Sequence, residues 1–103
     1  MSEKLLKIIN HYKVNNQLRK FNEESFELEE IILDYEFSQD NFPRQTEICK
    51  EQFLNHIAEE IADVMVMLSQ FKEYYHIDGN EILKIMNEKI DRQIGRIEKE
   101  NGK

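Results

Sequence analysis

Hydrophobic residues recur every three or four positions along most of the chain, which is the period of an amphipathic α-helix. The pattern predicts four helices, which cover residues 3–14, roughly 17–37, roughly 47–75 and about 81–100. Asn15 and Asn16 mark the first break, and the only proline lies in the longest polar stretch, 38–46. Asp78 and Glu81 fit a capping box at the start of the last helix. We therefore expect an all-α fold, a single-domain antiparallel helix bundle.

The third predicted helix is the most apolar part of the chain. Between residues 61 and 69 its hydrophobic side chains point to nearly every side. A helix of that kind is buried all round, and a bundle of only four helices can hardly enclose one of them. We therefore expect a second copy of the chain to complete the core, in a homodimer or a homotetramer.

Composition narrows the class of protein further. The chain has 103 residues, of which 40% are hydrophobic and 34% are charged, and only three are glycine. Its net charge of −7 argues against binding to a nucleic-acid strand or an anionic membrane surface, and no apolar run is long enough to span a bilayer. The single cysteine, Cys49, cannot form an internal disulfide, so a cytoplasmic location is the simplest expectation.

The negative charge is concentrated in the middle of the chain. Residues 21–43 contain eight acidic side chains and no basic one, so the net charge of this segment is more negative than the −7 of the whole chain. Most runs of this kind are solvated helix faces, and that simple explanation stays open for part of the segment.

Four carboxylates stand out because of their spacing. Asp63 is the only charged residue between Glu60 and Lys72, and an ionised carboxylate in apolar surroundings is costly unless it is paired or bound to a metal. Glu60 lies three residues before Asp63, on the same edge of the helix. Glu24 and Glu27 repeat that spacing on the second predicted helix.

The two acidic pairs are predicted to meet. In an antiparallel helical hairpin, residues whose numbers have the same sum lie at the same level, and Glu24 with Asp63 has the same sum as Glu27 with Glu60. The hairpin would then be centred just after residue 43, inside the predicted loop. Ligands that are all oxygen favour Mg²⁺, with Mn²⁺ also acceptable, over zinc. Chance acidic pairs on a solvated face are the alternative.

Three segments resemble the motifs of a known family. Residues 23–28 read EESFEL, residues 59–64 read EEIADV, and residues 87–92 read NEKIDR. They resemble, in the same order, the EExxEL, EExxDV and N-x-K-x-x-R motifs of the MazG-like all-α nucleoside triphosphate pyrophosphohydrolases. The opening segment 11–24 is similar to small stand-alone members from phages and Gram-positive bacteria.

The resemblance implies an enzyme that hydrolyses a (deoxy)nucleoside triphosphate to its monophosphate and pyrophosphate. It implies that Mg²⁺ is held by Glu24, Glu27, Glu60 and Asp63. It also implies that one glutamate acts on the attacking water; Glu27 and Glu24 are the candidates, and Glu27 is preferred. Its implied substrate contacts are Lys89, Arg92, Arg96, Lys20 and Gln17.

Some features depart from the family pattern or allow another reading. Thirty-two residues separate Glu27 from Glu60, and Gln93 stands where many relatives have Arg or Asn. The alternative for Lys89 and Arg92 is ordinary surface ion pairing with Glu88 and Asp91. A narrower dUTP, dCTP or phosphoribosyl-ATP pyrophosphatase differs in substrate only. A non-catalytic helical oligomerisation or regulatory module with an acidic binding face is the alternative from another class.

Overall fold

The computed structural model describes residues 2–42, 44 and 46–102. Its described residues contain no strand and form four helices: α1 (Ser2–Tyr12), α2 (Val14–Asn41), α3 (Glu47–Tyr74) and α4 (Gly79–Asn101). The all-α class and the number of helices are therefore confirmed. Among the described helices, none has the length and apolar character needed to cross a membrane.

The first helix break lies at Lys13, two residues before the predicted one. Lys13 has a φ of 77° and a ψ of 148°, while its N–H still donates to the carbonyl of Ile9 at 2.8 Å. Asn16 lies inside α2, and its side-chain Nδ2 donates to the carbonyl of Tyr12 at 2.7 Å. The side chain of Asn16, in α2, therefore pairs with a free carbonyl at the end of α1, and Lys13 alone forms the turn between the two helices.

The predicted loop between the second and third helices is shorter than expected. Residues 38–41, assigned to the loop from their polar composition, continue α2 to Asn41, whose side chain donates to the carbonyl of Phe37 at 2.9 Å. Pro43 lies outside the described residues. Thr46 begins α3, where its hydroxyl accepts from the N–H of Cys49 at 3.2 Å. These polar side chains terminate and start helices instead of forming an extended loop.

The connection from α3 to α4 contains two well-defined caps. His76 has a φ of 55°, its N–H donates to Glu73, and the N–H of Ile77 donates to Lys72, which is the Schellman pattern. Asp78 caps α4 as predicted, because its side chain accepts from the N–H of Asn80 at 3.0 Å. In a full capping box the side chain of Glu81 would also accept from the N–H of Asp78, and that hydrogen bond is not found among the described residues.

The register of α2 against α3 is the one that the sequence predicts. Gln17 of α2 and Gln70 of α3 are both buried, and their side-chain amides form a hydrogen bond of 2.8 Å. Their residue numbers have the same sum as those of Glu24 with Asp63. The two helices therefore form the expected antiparallel hairpin, and α1 packs across it through Leu5 and Ile9.

The bundle differs from the expectation in its fourth helix. Helix α4 contains no buried residue and packs only marginally on α1, α2 or α3. The apolar side of α3 is also open, with Met65 59% exposed and Leu68 50% exposed. One chain therefore makes a three-helix core with a projecting helix, because too few helices are present to cover α3.

Candidate metal centre and the adjoining cleft

Three of the four predicted carboxylates meet between α2 and α3. Glu24, Glu60 and Asp63 each offer one oxygen, and these oxygens lie within 4.8 Å of one another. Glu24 is buried, Glu60 is half-buried and Asp63 is exposed. The hairpin register explains the meeting, since it places all three residues within one turn of the same level.

The two central glutamates share one pattern of contacts. The Oε1 atom of Glu24 lies 3.0 Å from Nζ of Lys20, one helical turn earlier. The Oε1 atom of Glu60 lies 3.4 Å from Nε2 of His56, again one turn earlier. The Oε2 atoms of both glutamates are buried and accept no hydrogen bond within the described part of the chain. Each glutamate thus has one partnered and one unpartnered oxygen.

This arrangement is unfavourable in the protein alone. A buried acceptor without a partner costs on the order of 1–3 kcal/mol, and more when it is charged. Negative groups held this close repel one another as well. A divalent cation removes both costs, so the donor set of Glu24, Glu60 and Asp63 suits a hard cation such as Mg²⁺.

Glu27 lies beside this cluster but not within the three-oxygen group. It is exposed and lines a surface depression of about 290 Å³ together with His56 and Glu60. The negative charge of Glu24, partial burial and then the charge of Glu60 raise the pKa of Glu27 above its ordinary value. Its position at the rim agrees better with a group that exchanges protons than with a buried ligand.

Asp63 is less buried than the apolar run around it suggests. Its side chain belongs to the open part of α3, where Ile61 and Val66 are also 42% and 46% exposed. The prediction that Asp63 lies in apolar surroundings is therefore wrong for the single chain. The reason is that α1 and α2 cover only one side of α3.

The basic residues predicted to bind phosphate lie apart from the acidic cluster. Lys89, Arg92 and Arg96 line a groove of about 220 Å³ on α4 together with Gln93. Within the described residues no ion pair links them to an acidic side chain, so the local pairing considered as an alternative is absent. The single chain does not bring them to Glu24 and Glu60, because α4 projects from the core.

A cleft of about 560 Å³ adjoins the cluster. Gln17 and Lys20, both predicted to contact substrate, line it with Tyr12 and Met67. Lys20 connects the cleft to the cluster, and its hydrogen bond to Glu24 raises the pKa of the Lys20 ammonium group.

Sequence reasoning missed Gln70, which is 2% exposed and hydrogen-bonded to Gln17. Its signal was a polar residue at the end of an apolar run, at the same hairpin level as Gln17.

Comparisons with models of protein families, with curated proteins and with solved structures find no match to this chain.

Proposed function

We propose that the chain is a Mg²⁺-dependent pyrophosphohydrolase of (deoxy)nucleoside triphosphates, related to the MazG-like enzymes. The observation that carries the proposal is the pair of buried, unpartnered oxygens on Glu24 and Glu60, next to Asp63. In a module that only binds a basic partner, the acidic side chains would be exposed to solvent. Burying unpartnered carboxylate oxygens would cost such a module free energy without a benefit. The motifs around these residues support the same assignment.

The cation would be held by Glu24, Glu60 and Asp63, with Glu27 at the rim. When bound, Mg²⁺ supplies positive charge to the triphosphate and lowers the pKa of water. The contacts from Lys20 and His56 orient the outer oxygens of the two glutamates, which keeps the inner oxygens directed at one point.

Glu27 would take the proton of the attacking water. Its pKa, raised chiefly by the negative charge of Glu24, makes its carboxylate a better base than an ordinary glutamate. The water oxygen forms a bond to the α-phosphorus, and the bond from that phosphorus to the bridging oxygen breaks. Pyrophosphate leaves with the bond's electron pair, and the monophosphate remains.

Phosphate contacts from Lys89, Arg92 and Arg96 would require assembly of the chain. The exposed apolar residues of α3 and α4 support an oligomer, a homodimer or homotetramer, in which α4 of one copy approaches the acidic cluster of another. The positive groove on α4 complements the surplus of negative charge on α2. The lone, exposed Cys49 fits a reducing cytoplasm.

The test is pyrophosphate release from a panel of deoxynucleoside and nucleoside triphosphates with Mg²⁺. We expect turnover by the wild-type protein and a loss of at least about 100-fold in kcat for Asp63→Asn and Glu27→Gln, with circular dichroism unchanged. Glu51→Gln, at an exposed position on the same helix as Asp63, should retain full activity.

Absence of release with every nucleotide, at protein concentrations that give the assembled oligomer, would reject the enzyme and favour the non-catalytic acidic module. Normal activity of a folded Asp63→Asn protein would instead remove Asp63 from the site.

A further inference from the structure

Helix α2 has a second apolar stripe, on the side that faces away from α3. Phe26, Leu33 and Phe37 are separated by seven and four residues, so they lie on one face of the helix. They are 59%, 60% and 62% exposed, whereas the buried residues Glu24 and Ile31 lie on the opposite face. Large apolar side chains of this exposure, aligned along one helix, are typical of a surface that binds another helix.

Helix α4 repeats this spacing in reverse order. Its side chains Met86, Ile90 and Ile97 are separated by four and seven residues and are 50%, 52% and 49% exposed. In two antiparallel helices, the residues that meet have numbers with a constant sum. The three pairs that share one sum are Phe37 with Met86, Leu33 with Ile90, and Phe26 with Ile97. The two stripes therefore fit each other as the apolar seam of an antiparallel coiled coil.

The charges beside the two stripes match in the same register. In an antiparallel coiled coil, the g positions of one helix face the g positions of the other. With the seam above, these positions bring Glu36 to Lys89 and Glu29 to Arg96. All four side chains are exposed, and none of them forms an ion pair within the described residues. Each helix thus supplies the charge that the other lacks.

The register also gives Gln93 a partner. It places Gln93 opposite Glu30, between two of the apolar pairs. The amide nitrogen of Gln93 can donate to the carboxylate of Glu30, so the one polar layer of the seam is satisfied. A single polar layer of this kind fixes the register of a coiled coil. The glutamine that departs from the family pattern therefore suits this seam.

The helix that fills this face of α2 belongs to a second copy of the chain. The hairpin register places Tyr74, the last residue of α3, level with Lys13 at the start of α2. Phe37 lies about 36 Å further along α2. The segment from Tyr74 to Met86 spans at most about 26 Å, because residues 79–86 are helical. Helix α4 of the same chain therefore cannot bring Met86 to Phe37, whatever its direction.

We propose that the outer face of α2 binds α4 of a second copy, which lies antiparallel on it with Leu33 against Ile90. Two copies related by a twofold axis would form this contact twice, because each supplies one α2 and one α4. Lys89 and Arg96 then stabilise the assembly, and Arg92, which lies at an outward position of α4, is left to contact phosphate. The inference rests on the oligomer of the proposed function but uses no ligand of the candidate metal centre.

Complementary charge reversal tests this contact. One variant carries Glu29→Lys and Glu36→Lys, and the other carries Lys89→Glu and Arg96→Glu. Each variant alone places like charges along the seam, so we expect its dissociation constant in sedimentation velocity to rise at least about 10-fold. In an equimolar mixture every α2 can face an α4 of opposite charge, so the dissociation constant should return to within about threefold of wild type.

The matched control carries Glu47→Lys and Glu51→Lys, the same change of charge at exposed positions of α3. It should assemble like the wild type. Circular dichroism of each variant checks that the helices are retained, as expected for substitutions at exposed positions.

Disulfide cross-linking tests the register. In a Cys49→Ser background, the Leu33→Cys protein is mixed with the Ile90→Cys protein and oxidised with diamide. We expect a cross-linked heterodimer, detected by mass spectrometry. With Lys84→Cys, on the other side of α4, cross-linking should be at least about 10-fold slower, because the two sulfur atoms cannot approach each other.

Several results would overturn the proposal. They are a monomeric wild type, charge variants that assemble like wild type, a mixture of them that stays dissociated, and equal cross-linking at positions 84 and 90. None of these measurements depends on turnover. Pyrophosphate release combined with a failed mixing experiment would therefore uphold the enzyme and reject only this contact, and recovery of assembly without release would do the reverse.

Discussion

Glu24 and Glu60 face each other across the α2–α3 hairpin with the same contacts in the same order. In each, Oε1 lies within 3.4 Å of a nitrogen of a side chain one turn earlier, and Oε2 is buried with no hydrogen-bond partner among the described residues. Two helices that run in opposite directions thus present a near-symmetric pair of carboxylates. The symmetry follows from the spacing of four residues between Lys20 and Glu24 and between His56 and Glu60.

The substitution Glu60→Gln should stabilise the metal-free protein. It removes one of the clustered charges and supplies an amide that can donate to Oε2 of Glu24. We expect a gain of about 1 kcal/mol, or roughly 5 °C in melting temperature. We also expect Mg²⁺ to stabilise the wild-type protein, and this stabilisation should disappear in the variant. Differential scanning calorimetry with EDTA and with Mg²⁺ measures both effects.

Glu51→Gln is the matched control for this experiment, because Glu51 is an exposed glutamate of the same helix. It should change neither the metal-free stability nor the response to Mg²⁺. A lower melting temperature for metal-free Glu60→Gln would contradict the interpretation of the unpartnered oxygens.

Glu73 should make stability depend on pH in the acid range. Hydrogen bonds from Lys72 and then from Ser2, at 3.0 and 3.1 Å, hold the pKa of Glu73 below its ordinary value. A lowered pKa in the folded state gives stability that is present above the ordinary glutamate pKa and is lost as pH falls through the folded value. The difference in melting temperature between wild type and Glu73→Gln should therefore shrink as the solution is acidified. A difference that grows toward low pH would contradict the assignment.

Lys13→Gly should stabilise the chain. A φ of 77° with a ψ of 148° is a region used almost only by glycine, and it costs other residues about 1–3 kcal/mol. Glycine loses more conformational entropy on folding than lysine, and this offsets part of the relief. We therefore expect the free energy of unfolding, measured in urea, to rise by about 1 kcal/mol. Lys7→Gly, the same change inside α1, should instead lose about 1 kcal/mol. Destabilisation by both substitutions would show that Lys13 is not strained.

His76→Gly should also stabilise the chain, by about 0.5–1 kcal/mol. His76 occupies the left-handed position of the Schellman motif after α3, where glycine has no steric penalty. His76→Val should have the opposite effect, because a β-branched residue is disfavoured at positive φ. Thermal unfolding of the three proteins at one pH measures their relative stability. A stability order other than glycine, histidine and then valine at position 76 would reject the prediction.

The apolar stripe of α4 should hold copies of the chain together. Ile90, Ile94 and Ile97 are 52%, 49% and 49% exposed in the single chain. We expect sedimentation velocity to show a dimer or larger species for wild type and a shift to monomer for Ile94→Glu. Glu98→Lys, a polar change on the same helix, should leave the assembly intact. A wild-type protein that is monomeric at all concentrations would exclude the proposed oligomer.

The hairpin and its acidic cluster were predictable because both depend on spacing within regular helices. Once α2 and α3 form an antiparallel hairpin, the residue numbers of Glu24, Glu60 and Asp63 place the three side chains at about the same height along it. The break at Lys13 was not predictable in the same way, since lysine has no preference for positive φ. The exposure of Asp63 also depends on how many helices surround α3, which periodicity does not determine. Gln70 was missed because a single amide in an apolar run does not reveal its partner.

The shared hairpin level of Gln17 with Gln70, and of Glu24 with Asp63, also determines where the chain tolerates a change in length. Residues inserted between Asn41 and Glu47 lengthen the connection and leave every pairing of α2 with α3 in place. One residue inserted between Gln17 and Glu24 turns the later part of α2 by about 100° relative to the earlier part. The cleft and the carboxylates would then face different directions. The cleft and the acidic cluster are thus linked by the length of α2 as well as by the side chain of Lys20.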